Sequence, residues 1–90
     1  MKAFYVDIVR AEKIGLLAGP FPSEKIARKY ERAAFKKAND VDPWAAFDRY
    51  GVVSLDAPDY RPAGRLNHLL DIDPADLMPV FDNRKQKEAA

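Results

Sequence analysis

The side chains in this sequence best suited to chemistry are cations. Lys25, Arg28, Lys29, Arg32 and Lys36 recur at helical spacing and fall on one contiguous arc, with Phe35 at its edge. Like charges side by side on a helix oppose it by a few tenths of a kcal/mol per pair, and Glu24 and Glu31 stand only at the margins. An arc of this kind beside an aromatic suits recognition of an acidic protein surface or of a phosphate backbone. It equally suits a solvated face that pairs with acids elsewhere in the same fold.

Other chemistry lacks its parts. The chain has no cysteine, no threonine, one histidine (His68) and only two serines, Ser23 and Ser54. So sparse an inventory disfavours a nucleophile–base constellation, and the expectation is a protein without catalytic residues or cofactor. Asp71, Asp73 and Asp76 are close in sequence but lack the glycine and bidentate glutamate of a calcium loop, so no metal site is expected. Gly15, Gly19, Gly51 and Gly64 make no phosphate-binding pattern. Trp44, Phe47 and Tyr50, with Phe21 and Tyr60, could form a stacking platform or a protein hot spot. A thin core has first claim on Trp44 and Phe47, which leaves Tyr50 half-buried at its rim.

The elements that position these residues are punctuated clearly. Phe4, Val6 and Ile8 alternate with Tyr5, Asp7 and Val9 in a first strand, and Arg10-Ala11-Glu12 turns a hairpin. A second strand, Lys13–Ala18, ends at Gly19-Pro20. Ser23 is placed to cap a helix from Glu24 to about Ala38, with Ile26, Ala27, Tyr30, Ala33, Ala34 and Ala38 as its core face. Asp42 and Pro43 start a second helix that Gly51 closes in a left-handed conformation, and Val52–Leu55 is a short strand. Residues 57–64 form a rigid proline-rich lobe, residues 65–72 suit either a short helix or a strand end, and Asp73-Pro74 begins one more short helix. If the second and third strands are neighbours, the helices between them make a parallel crossover. The result is a small α+β domain over residues 1–82. It has a three-stranded mixed sheet in the order strand, strand, helix, helix, strand, helices on one face and short C-terminal elements. A polar, frayed tail occupies 83–90.

Ninety residues bound this to one domain with a modest core. Net charge is +1 but strongly segregated: residues 1–38 carry nine basic and four acidic groups, residues 39–83 three basic and nine acidic. Either the two halves face each other, or each presents its field to a different partner. Asp7 and Arg10 interrupt the N-terminal apolar run, and nothing approaches the roughly 20 apolar residues that span a bilayer. A cytoplasmic protein without membrane contact is therefore expected.

Two resemblances add to this reading. Gly19-Pro20-Phe21-Pro22-Ser23-Glu24 followed by Ala27 resembles the strand–turn–helix signature of SPOR domains, over about residues 14–38. That resemblance implies an α+β sheet and binding of septal peptidoglycan glycan, although the helix that starts at Asp42-Pro43-Trp44 departs from the pattern. Leu17-Ala18-Gly19-Pro20-Phe21, then Asp42-Pro43-Trp44-Ala45-Ala46-Phe47, then Tyr50-Gly51, is similar to small bacterial proteins carried by phages and plasmids. It implies a mobile genetic setting and assigns no site residues. The expectation that follows is a non-enzymatic protein-binding module, an accessory factor of a phage or plasmid. Its contact surface is Lys25, Arg28, Lys29, Arg32, Phe35 and Lys36, and its partner is another protein. Nucleic-acid binding through the same face, or SPOR-like glycan binding, is the alternative.

Overall fold

The structure is a computed structural model that describes residues 2–57 and 60–82. The tail expected over 83–90 lies outside the described residues. Strand β1 (Ala3–Arg10) turns into β2 (Lys13–Phe21), which leads into α1 (Glu24–Lys29) and α2 (Glu31–Val41). A 3-10 helix over Pro43–Phe47 then hands the chain to β3 (Arg49–Leu55). The remainder is a two-stranded ribbon of β4 (Tyr60–Arg61) and β5 (Phe81–Asp82), with 3-10 turns at Asn67–Leu69 and Pro74–Asp76 between them.

The α+β architecture matches expectation, but the sheet is antiparallel throughout, in the order β2-β1-β3, and not mixed. β2 and β3 do run in the same direction, yet β1 lies between them. Burial gives the reason. Alternation sends Phe4, Val6 and Ile8 toward the helices and Ala3, Tyr5 and Asp7 to the opposite face, and the latter three are all buried. A strand buried on both faces belongs in the centre, so the helical connection from β2 must cross β1 to reach its free edge.

β2 also runs past its expected end at Ala18. Gly19 (φ +132°) and a cis Gly19–Pro20 peptide lie inside it, and Phe21 still pairs with Phe4 across two register shifts. Bulged positions tolerate a proline that a regular ladder excludes. A side chain at Gly19 would meet the Tyr5 ring at 2.7 Å, so the close approach also requires glycine.

Ser23 caps α1 by accepting the Ile26 N–H at 3.2 Å, as its position predicts. The expected single helix is broken at Tyr30, whose backbone closes α1 and opens α2. The side chain explains the break. Tyr30 stacks on Phe21 (centroids 5.1 Å apart, planes 3° from parallel), and its hydroxyl donates to Asp76 Oδ2 at 2.5 Å and accepts from the Asp73 N–H. One residue thus ties the helices to β2 and to the C-terminal segment. Ala27, Ala34 and Ala38 are buried and Ile26 half-buried, as the helical wheel indicates, but the break rotates Ala33 out to solvent.

The free edge of β2 is closed by residues 64–67. Gly64, Arg65 and Leu66 donate backbone hydrogen bonds to the carbonyls of Gly19, Leu16 and Leu17 at 2.8–3.0 Å. The Asn67 carboxamide accepts from the Gly19 N–H at 3.0 Å and donates to the Gly19 carbonyl, standing in for a strand partner. The segment that sequence leaves ambiguous is therefore an edge cover followed by a 3-10 turn. Nearby, the Tyr5 hydroxyl donates to the Pro62 carbonyl at 2.7 Å, and burial pushes that phenol up to about 12.

Two outcomes test this account. A Cβ at Gly64 would sit 2.5 Å from Ala18 Cα and 2.7 Å from the Leu17 carbonyl, both backbone atoms. Gly64→Ala therefore lowers unfolding free energy by about 1–3 kcal/mol in a denaturant titration. Asp7 has its carboxyl pushed above the ordinary range, chiefly by burial, although its own N–H lowers it and Glu31 adds same-sign repulsion. The charged form is thus penalised in the folded state, and stability falls as pH rises through the elevated pKa. Asp7→Asn is expected to be the more stable form near neutrality, with the gap closing as pH falls toward about 4, followed by denaturation midpoints across pH.

Candidate binding surface

The 3-10 helix Pro43–Phe47 begins as its sequence indicates. Asp42 accepts the Trp44 N–H at 3.1 Å, and Pro43 occupies the first turn where no backbone donor is needed. It stops sooner than expected. Asp48 follows as the C-cap, and Gly51 lies within β3 opposite Asp7, so it closes no helix. A turn this short turns one residue inward, and that place goes to Ala45, which is buried.

Trp44 and Phe47 are consequently not core. Side chains three apart eclipse on a 3-10 helix, and the two rings stand together on the outside, 6.1 Å between centroids. Trp44 is 73% and Phe47 81% exposed, values that single out the pair as surface aromatics. Tyr50 is half-buried as expected: its hydroxyl donates to the Ala45 carbonyl at 2.7 Å. Ile14 and Val41 are the other strongly exposed aliphatics of this end.

Ion pairs anchor the turn that carries the pair. Arg10, at the end of β1, reaches Asp48 from both Nε (2.9 Å) and Nη2 (2.7 Å), and Asp42 from Nη2 (2.9 Å). Those carboxylates flank the aromatic turn on either side. The Arg10 hydrogen bond, aided by the Trp44 N–H, holds the Asp42 carboxyl below its usual range. Each ion pair at this exposure contributes modestly. Together they pin both ends of the turn to the sheet.

The cations expected on one helical arc are all exposed, but the break at Tyr30 divides them between α1 (Lys25, Arg28, Lys29) and α2 (Arg32, Lys36), and they are only partly free. Arg28 pairs with Glu24 at 3.2 Å and Glu31 at 3.5 Å. Lys29 reaches Asp76 at 3.1 Å, and the Tyr30 hydroxyl and Lys29 together hold that carboxyl low. Lys25, Arg32 and Lys36 have no ion pair among the described residues. Phe35 is 39% exposed and packs edge-on against Tyr50, centroids 4.7 Å apart, so it is a rim residue of the helix–sheet contact. Among the described residues, no acidic or histidine cluster suits a metal ion: Asp73 caps the Ala75 N–H and Asp76 is bonded to Tyr30 and Lys29. No helix there is long and apolar enough to cross a membrane.

Sequence reasoning raised the aromatic set as a candidate platform but gave Trp44 and Phe47 to the core, because it read the segment from Asp42 to Gly51 as a helix with a buried face. The available signal was composition: Asp42 and Asp48 bracket a turn whose middle offers two small alanines for packing. Trp44 is the sole tryptophan, so its exposure is directly measurable. Its emission is expected at the wavelength of a hydrated indole, with acrylamide quenching in the native protein close to that of the unfolded chain. A blue-shifted, protected spectrum would place it in the core.

No protein-family model, curated protein or solved structure matches this chain, so its reading rests on the geometry above.

Proposed function

We propose that this protein acts by binding another protein, without catalysis, and that Trp44 and Phe47 are the centre of the contact. The observation that carries this reading is their joint exposure on an anchored turn. Rigid exposed aromatics bury much area for little lost side-chain freedom, which is why they dominate interface energetics. The basic face is the polar surround. Phe35 contacts Tyr50, Tyr50 bonds to the aromatic turn, and Lys25, Arg32 and Lys36 are helical cations without an ion pair among the described residues, open to a partner's acids. An acidic protein surface with a pocket for two rings is the complement. A phage or plasmid accessory role in the bacterial cytoplasm is part of this proposal and is supported by the sequence resemblance.

A second reading draws on the same residues. Stacking aromatics beside unpaired cations are also the components of a single-strand nucleic-acid site. One experiment separates the two. Trp44→Ser/Phe47→Ser and Lys25→Glu/Arg32→Glu/Lys36→Glu variants, all at exposed positions, are expected to fold like the parent. In crosslinking from the native cell, the aromatic variant is expected to lose the captured protein, and nuclease treatment to leave the parent's capture intact. A nuclease-sensitive capture, together with oligonucleotide binding that weakens steeply with salt, would instead favour the second reading. Capture unchanged by the aromatic variant would remove both.

A further inference from the structure

A second feature lies beside the aromatic turn; it excludes Trp44 and Phe47 but shares Arg10 and Asp42 with the anchor of that turn. The tip of the β1–β2 hairpin, the C-terminal end of α2 and residues 65–66 enclose an open groove of about 630 Å³. Sites for small molecules are clefts of about 300–1,000 Å³ with mostly apolar walls and a few placed polar groups. The floor here is Leu17, Ala38 and Leu66, all buried core residues, with Ile8 packed against them. Ile14 and Val41 are exposed side walls facing the same space. The apolar surface is therefore set on the rigid part of the fold.

The charges around it are unbalanced. Arg10, Lys13 and Arg65 line the groove against a single carboxylate, Asp42. Arg10 and Asp42 are paired with one another, and Asp48 supplies Arg10 with a second carboxylate. Lys13 and Arg65 are exposed and have no ion pair among the described residues. Arg65 is held at the groove by its backbone, which donates to the Leu16 carbonyl at 2.8 Å. An apolar trough with two unneutralised cations fits an apolar chain that carries one anionic head.

We propose that this groove binds a small apolar carboxylate of the medium-chain fatty-acid type, its chain on Leu17, Ala38 and Leu66 and its head group at Lys13 and Arg65. The same tail with an ammonium head keeps the apolar contact and meets two like charges. The site therefore selects by the sign of the head group.

The test is a titration of the isotope-labelled full chain with octanoate and, separately, octylamine, followed by the methyl and amide resonances. Octanoate is expected to shift Ile8, Ile14, Leu17, Val41 and Leu66 saturably, and octylamine to bind about tenfold more weakly, the size of effect two exposed ion pairs supply. Lys13→Glu/Arg65→Glu, at exposed positions, is expected to abolish that preference while the rest of the spectrum stays in place. Ile14→Ser is expected to weaken both probes. Equal midpoints for the two probes, shifts that never saturate, or shifts confined to Trp44 and Phe47 would each overturn the proposal. Trp44→Ser/Phe47→Ser leaves octanoate binding unchanged, so failure here and failure of the protein-binding reading are separate results.

Discussion

The approach of Gly64 to the backbone of Ala18 is the contact on which the rest of this fold depends. Three strands and two short helices cannot by themselves bury β1 on both faces and also close the edge of β2. The chain solves both with one segment. Residues 64–67 lie so close to β2 that only a glycine fits at Gly64, and Asn67 completes the hydrogen bonding of Gly19 at the point where Pro20 prevents regular pairing. The same segment brings Leu66 into the core and Pro62 over Tyr5. Without it, the Tyr5 hydroxyl and the β2 carbonyls would lose their partners, and an unmet buried polar group costs about 1–3 kcal/mol.

Charge segregation along the sequence resolves only in part into internal pairing. Arg10 bridges Asp42 and Asp48, and Lys29 joins Asp76, so basic residues of the first half meet acids of the second. These pairs are surface contacts of modest energy. Their larger effect is positional: Arg10 fixes the two ends of the aromatic turn and takes up the one acid of the neighbouring groove. The cations left without an ion pair among the described residues include Lys25, Arg32 and Lys36 on the helices and Lys13 and Arg65 at the groove.

Much of the fold was legible because it follows from local rules. Ser23, Asp42 and Asp73 cap their helical turns through the hydrogen bonds their positions imply, and residues of β1 alternate between its two faces as expected. The exposure of the helical cations was equally readable, although the single helix expected to carry them is two. The misreadings share one cause. The helix break at Tyr30, the inward place taken by Ala45 and the antiparallel placement of β3 were each decided by a contact between residues far apart in the chain. Tyr30 answers to Asp76 and Phe21, and the aromatic turn to Arg10. Periodicity within one segment carries no trace of such partners.

Composition and spacing alone determined the α+β class, the hairpin and the starts of the helical turns, because these depend on nearest neighbours and on residue types. Tertiary structure decided which aromatics face solvent, which cations remain unneutralised and which edge of the sheet is covered. Exposure and pairing are properties of the whole packed arrangement. They came into being only when Gly64 reached Ala18 and Arg10 reached Asp42 and Asp48.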